Sequence, residues 1–286
     1  MNNNDAVKAQ RTELTKKEVF CRVADSEREA DNKGILLKMA DAAELRAGAW
    51  RSHTGKEARP YKGKALFYAF IIRHLGITFG IRLMDKELGV KANPYKATSK
   101  DGSEAEQKYS AEKEQEEKSI AMLSDKPLEY LGAIVLGLND SLVEMTGILA
   151  GLTLGIKRSS IIAAVGIITG IAASLSMMAS EYLSVKTDSS RKIKPVRSSI
   201  YTGIAYIITV VALILPYMVM DNVFIALLVT ILVAITIIGI FNYYASVAKS
   251  TGFRRHFSEM VLISLGVATI SFLMGLIVNR VFHINV

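Results

Sequence analysis

Two carboxylates four residues apart, Asp140 and Glu144, lie in VLGLNDSLVEMTG at 135–147, inside an apolar run that extends from about 128 to 155. At helical spacing they project from one face, a turn apart. A lone carboxylate at the centre of a bilayer costs roughly 2.5–3.5 kcal/mol on insertion scales, so such a pair in a spanning helix marks an ion path, a proton relay or a bound cation. The next apolar run, IAASLSMMASEYLS, repeats the spacing with Met177 and Glu181; Ser174 stands a turn earlier and Met178 on the adjoining face. Carboxylate oxygens bind divalent cations, and a thioether beside them favours a borderline or soft transition metal over magnesium or calcium. Methionines there equally suit packing, and Glu181 is close enough to a helix end to reach the interface. Glu144 has half a span on either side and no deeply placed Lys or Arg in the other runs to neutralise it.

The elements that must position these groups are long apolar helices. A bilayer core requires about 20 apolar residues of helix, and five runs meet that length: 128–155, 159–185, 199–220, 223–247 and 257–282. The gaps are short and unequal in charge. KTDSSRKIKPVR (186–197) and KSTGFRRHF (249–257) are basic, whereas KRSS (157–160) and MDN (220–222) hold only Lys157 and Arg158. The positive-inside rule then predicts a cytosolic N-terminus and an outside C-terminus. Gly147, Gly151 and Gly155 share a face of the first run, and Gly166 and Gly170 form a GxxxG in the second, spacings that let helix backbones approach closely. Pro216 is predicted to kink or end the third run.

The chain of 286 residues is 50% hydrophobic with net charge +8, but charge is concentrated in the first 125 or so residues. Much of the positive excess lies beside apolar segments, so topology explains it and nucleic acid is not a predicted partner. The single Cys21 excludes an intrachain disulfide. The opening MNNNDAVKAQRTELTKKE lacks the apolar core of a signal peptide.

The segment from about 128 to 286 resembles the vacuolar iron transporter family, through LGLNDSLVEMTGILAGLTL in the first run and GIAASLSMMASEYLSVKTD in the second. The resemblance implies a five-span homodimer that moves ferrous or manganous ion out of the cytosol, with protons as the exchanged ion. On it Asp140 matches the transport aspartate, Met177 the second-span methionine, and Glu181 a glutamate found in many members. Glu144 rests on its own placement. One departure is plain: plant and related members carry a glutamate-rich metal-binding segment between the second and third spans, where this chain has only KTDSSRKIKPVR.

The first 125 residues show helical patterns at 7–25, 29–50, 62–90 and 104–124, separated by turn-forming SHTGKEARP (52–60) and KANPYKATSKDGS (91–103). Four helices so joined predict a bundle. Within the third, ALFYAFIIRHLGITFGIRLM (65–84) is nearly long enough to span, but Arg73, His74 and Arg82 interrupt it, so a buried bundle helix that lies against the bilayer is expected. This half resembles the ferritin-like, rubrerythrin-related domain fused to some prokaryotic transporters of the same family. Such bundles hold two irons with carboxylates and Glu-x-x-His pairs. Here Glu13, Glu44 and Glu112 keep glutamate positions, but Ala47 and Gln115 stand where histidines would, and Leu88 where a glutamate would. The expectation is a vestigial or weak site, or an acidic run (Glu112, Glu114, Glu116, Glu117) that is a solvated face.

The sequence therefore predicts an all-α protein: a cytosolic ferritin-like four-helix bundle (1–124) before a five-span membrane domain (125–286). Its expected activity is secondary transport of iron or manganese as substrate, with no enzyme activity and no required cofactor, in a prokaryotic plasma membrane. The alternatives are a membrane-anchored di-iron ferroxidase or peroxidase, and a metal sensor or assembly factor.

Overall fold

A computed structural model describes residues 3–89, 93–97, 102–188 and 193–282. Part of the 91–103 connection, and Arg191 and Lys192 of the basic linker, lie outside the described residues. Every regular element among those described is helical, and the chain divides into two compact units, Met1–Leu128 and Glu129–Val286.

The N-terminal unit begins with a hairpin of α1 (Asn3–Ser26) and α2 (Ala30–Thr54). Gly55, at φ 63°, ends α2 in the left-handed region and returns its N–H to the Arg51 carbonyl, the usual close of a helix on glycine. The predicted third helix is two, α3 (Lys62–Leu75) and α4 (Ile77–Leu88), broken at Gly76. At φ 102° and ψ 148° Gly76 adopts a backbone that side-chain-bearing residues rarely do. The Asp125 carboxylate fixes the break by accepting the Thr78 N–H at 2.7 Å, so it caps α4 from 47 residues away. Helices of 14 and 12 residues are roughly 21 and 18 Å long, too short for a bilayer core of about 30 Å. A 3₁₀ turn (Pro94–Ala97) and α5 (Gly102–Met122) complete the bundle, whose core includes Phe20, Leu36, Trp50, Tyr68, Ile72 and Met84.

A single turn, α6 (Lys126–Glu129), leads to α7 (Leu131–Ile156), α8 (Ser159–Thr187), α9 (Pro195–Val219), α10 (Val223–Lys249) and α11 (Phe253–Phe282). All five of these helices are long and apolar enough to cross a membrane, close to the predicted runs, and they make this a multi-pass membrane protein. Their surface chemistry is inverted relative to a water-soluble bundle. Ile168, Leu175, Ile208, Leu228 and Leu262 are exposed, whereas Thr146, Thr153, Ser174, Thr202 and Thr230 are buried. Buried hydroxyls find acceptors or partners on neighbouring helices: Thr146 meets Ser264 at 3.1 Å, Thr153 meets Tyr217 at 2.6 Å, and Thr230 donates to the Leu213 carbonyl at 3.0 Å. In lipid no water competes for such groups, so they tie helix to helix.

The glycine faces are largely occupied within the chain, Gly155 excepted. A Cβ on Gly151 would sit 3.1 Å from the Ser271 carbonyl oxygen, and one on Gly147 would sit 3.0 Å from Val267, both on α11. Gly166 and Gly170 likewise receive Ile214 and Val210 of α9. Pro216 lies inside α9 and neither ends it nor stands at its last residue.

Candidate functional site

The Glu144 side chain is held by a partner that sequence reading passed over. The Tyr206 hydroxyl, on α9, donates to Glu144 Oε2 on α7 in a short contact, and the Tyr206 side chain is fully buried. Tyr206 stands in IYTGIAYIITVV as the tyrosine nearest the middle of the run, which is the signal that could have found it. The helices can approach because Gly137 faces the Thr202 backbone oxygen, where any Cβ would collide. The Thr202 hydroxyl bridges the same two helices through the Ala133 carbonyl at 3.1 Å.

Asp140, one turn earlier, is exposed on this chain, as are Gly132 and Leu136. The three are four residues apart and form one stripe along α7. Met177 packs, partly buried, against the apolar cluster that contains Leu142, Met145 and Tyr206. Met178 lies over Gly203, filling the space a Cβ would need.

Glu181 falls elsewhere. It is 3% exposed, accepts the Ser198 hydroxyl at 2.6 Å, and lines an opening of about 440 Å³ with Glu129, Gly132, Ala133, Leu136 and Ile193. Its neighbours on α7 are therefore the first turns, and Glu144 lies eight residues beyond Leu136, roughly 12 Å along the axis. Of the expected residues, Asp140 and Glu144 form one group and Glu181 with Glu129 a second, whose Leu136 stands one turn before Asp140. α9 serves both, with Ser198 at one and Tyr206 at the other, also eight residues apart. Among the described residues no three His, Cys, Asp or Glu side chains converge as a ligand group.

Of the three glutamates expected in the N-terminal unit, Glu13 and Glu112 line one cavity and Glu44 does not. Glu44 is solvent-facing and paired with Lys17 at 2.5 Å. Glu13 is buried and accepts Arg46 Nε at 2.9 Å, while Glu112 accepts the Tyr95 hydroxyl at 2.7 Å. Two buried cations share the middle of the bundle with carboxylates. Lys16 and Arg46 are 6% and 5% exposed; Lys16 pairs with Asp85, and Arg46 reaches Glu116 at 3.5 Å as well as Glu13. A cavity of about 110 Å³ lies among these groups.

Burial penalises the Lys16 ammonium, but the charges of Asp85, Glu13 and Glu116 outweigh it and hold its pKa above that of an ordinary lysine. Arg46 is held charged in the same way by Glu13 and Glu116 against its burial. Burial pushes the Glu116 carboxyl up, with Lys16 and Arg46 opposing. Burial and the Glu112 carboxylate raise the Tyr95 phenol. Two fixed cations among these carboxylates, with Ala47 and Gln115 in place of histidines, do not fit a di-iron centre. None of Lys16, Arg46, Asp85 or Tyr95 stood out in the sequence, because their pairing depends on four helices meeting.

Comparison with known proteins bears on the membrane unit. Residues 131–192, which are α7, α8 and the start of the linker after them, match the model of the VIT family. No curated protein matches the chain. The class that fold and match define is a multi-pass helical membrane protein whose first two spans are similar to the VIT family model.

Proposed function

We propose that this protein is a secondary transporter that exports ferrous or manganous ion from the cytosol in exchange for protons. The observation that carries the reading is the mid-span carboxylate pair, with Glu144 fixed by the buried Tyr206 hydroxyl and Asp140 open on the helix face one turn away. A carboxylate at that depth is maintained only against a cation, a proton or a hydrogen-bond donor. Tyr206 supplies one donor to one oxygen, and the rest of the pair is left for an exchanging cation. Arrival of a divalent metal displaces protons from the carboxylates; reprotonation from the far side weakens the site and releases the metal. Met177 supplies the soft donor near the same helices, and Glu129 and Glu181 collect the ion at the first turns of α7.

The unequal basic gaps favour a cytosolic N-terminus and an outside C-terminus, and we assign the protein to the plasma membrane of a prokaryote. The N-terminal unit is read as a ferritin-like bundle that has exchanged metal for internal cations. A homodimer is favoured by the Gly132–Leu136–Asp140 stripe, since an exposed aspartate in a span requires cover from something other than lipid. The Gly147–Gly151 face is unsuited to that contact because α11 occupies it.

Metal flux into sealed proteoliposomes, followed with a metal indicator and a pH dye, tests the proposal. Wild type is expected to move iron or manganese against protons, and Asp140→Ala and Glu144→Ala to lose that flux. Absence of flux from correctly oriented wild type under both metals would sink the reading. Against the di-iron enzyme reading stand Lys16 and Arg46, which are paired with the carboxylates that line the cavity.

A further inference from the structure

The α3 helix, KGKALFYAFIIRHL, is amphipathic in an unusual sense. It buries Ala65, Tyr68, Ile71 and Ile72 against the bundle and turns Leu66, Phe67 and Phe70 outward, at 56%, 56% and 61% exposure. At about 100° per residue these three fall within one sector about 100° wide, and Arg73 and His74 continue it at the C-terminal end. Lys62 and Lys64 stand exposed at the other end, and the helix contains no acidic residue. Beside it runs a groove of about 640 Å³, with Val23, Ala69 and Phe70 in its wall and Arg22, Asp25 and Arg73 on its rim. An apolar sector closed at both ends by cations, with no acid on the helix itself, is the composition of a helix that lies in the interface of an anionic bilayer.

Chain connectivity brings that surface to a bilayer. The C-terminal end of α3 meets Gly76, over which Asp125 closes, and Asn32 fixes the adjacent Ser124 through two hydrogen bonds of 2.9 Å. Five residues separate Asp125 from Leu131, the first residue of the first spanning helix, so the break after α3 lies within about 20 Å of the membrane-crossing chain even at full extension. We infer that α3 docks on the anionic bilayer surface, with Leu66, Phe67 and Phe70 in the interface and Lys62, Lys64 and Arg73 on lipid phosphates. The inference needs only that the chain spans the membrane and is independent of transport.

The full chain in lipid nanodiscs provides the test. In a Cys21→Ser background, nitroxide labels at Phe67→Cys, Phe70→Cys and, as a control on α2, Lys38→Cys report collision with oxygen, which partitions into lipid, and with a water-soluble nickel chelate. In discs containing phosphatidylglycerol, the oxygen-to-nickel ratio at 67 and 70 is expected to exceed that at 38 several-fold. Replacing Lys62, Lys64 and Arg73 by Gln is expected to return it toward the control. Ratios equal to the control would overturn the inference. So would labels shielded from both reagents, which would mean that protein, such as a second copy, covers the face. An unchanged ratio in pure phosphatidylcholine would overturn the anionic specificity.

Discussion

Tyr206 donates its hydroxyl to Glu144, a hydrogen bond of the kind that contributes about 1.5–3 kcal/mol when its acceptor is ionised. Tyr206→Phe keeps the ring in its buried place and removes only that donor. It is expected to leave the protein folded and to weaken apparent metal affinity roughly tenfold or more, read as KM for metal flux in proteoliposomes. The buried ion pairs give a second expectation. Arg46→Met leaves Glu13 without its partner and should cost about 3–5 kcal/mol in denaturant unfolding, much of which Glu13→Gln in the same chain should recover. The pH signs also follow. Glu116 is raised by burial from its ordinary 4.5, so its stabilising contribution is present below that value and lost as pH rises through its folded pKa. Glu116→Gln should therefore raise thermal stability at neutral pH and change little in acid. Lys16, also raised, contributes fully below its ordinary 10.5 and loses that contribution only in stronger alkali. Asp140 and Glu144 were legible because an acid in an apolar run is conspicuous whatever surrounds it. Tyr206, Lys16 and Arg46 were not, since each is ordinary in its own helix and acquires meaning only from a residue on another.

The five spanning helices were legible nearly to their ends, because crossing a bilayer demands a length and a hydropathy that the sequence carries locally. The break at Gly76 was not. Glycine alone is a weak interruption, and the group that makes it decisive, Asp125, lies far along the chain. Helix pairing was half legible: the small-residue faces were visible, but not that α11 and α9 of the same chain would fill them. Gly137→Ala tests the tightest of these approaches, where α7 meets the Thr202 backbone. Overpacking there should cost about 1–3 kcal/mol. It should also lower flux more than a surface alanine does, because the same two helices carry Glu144 and Tyr206; thermal unfolding in detergent and the proteoliposome assay separate the two effects.

For the whole molecule, division into an apolar half and a charged half follows from hydropathy, and the all-helical class from periodicity. The pairing of Lys16 and Arg46 with carboxylates inside the N-terminal unit does not, because it depends on which side chains meet in the bundle's middle. Full-length protein carrying Asp140→Asn and Glu144→Gln should accordingly hold well under two irons per chain by elemental analysis after exposure to ferrous ion. The Asp125 cap has a practical corollary for dissecting the molecule. Thr78, 4% exposed, relies on that carboxylate for its backbone N–H, and Asn32 relies on Ser124. A fragment cut after residue 124 would discard Asp125 and leave a buried donor without its acceptor, at about 1–3 kcal/mol. The excised N-terminal half would then look frail for a reason introduced by the cut, and a fair portrait of it has to run through residue 128.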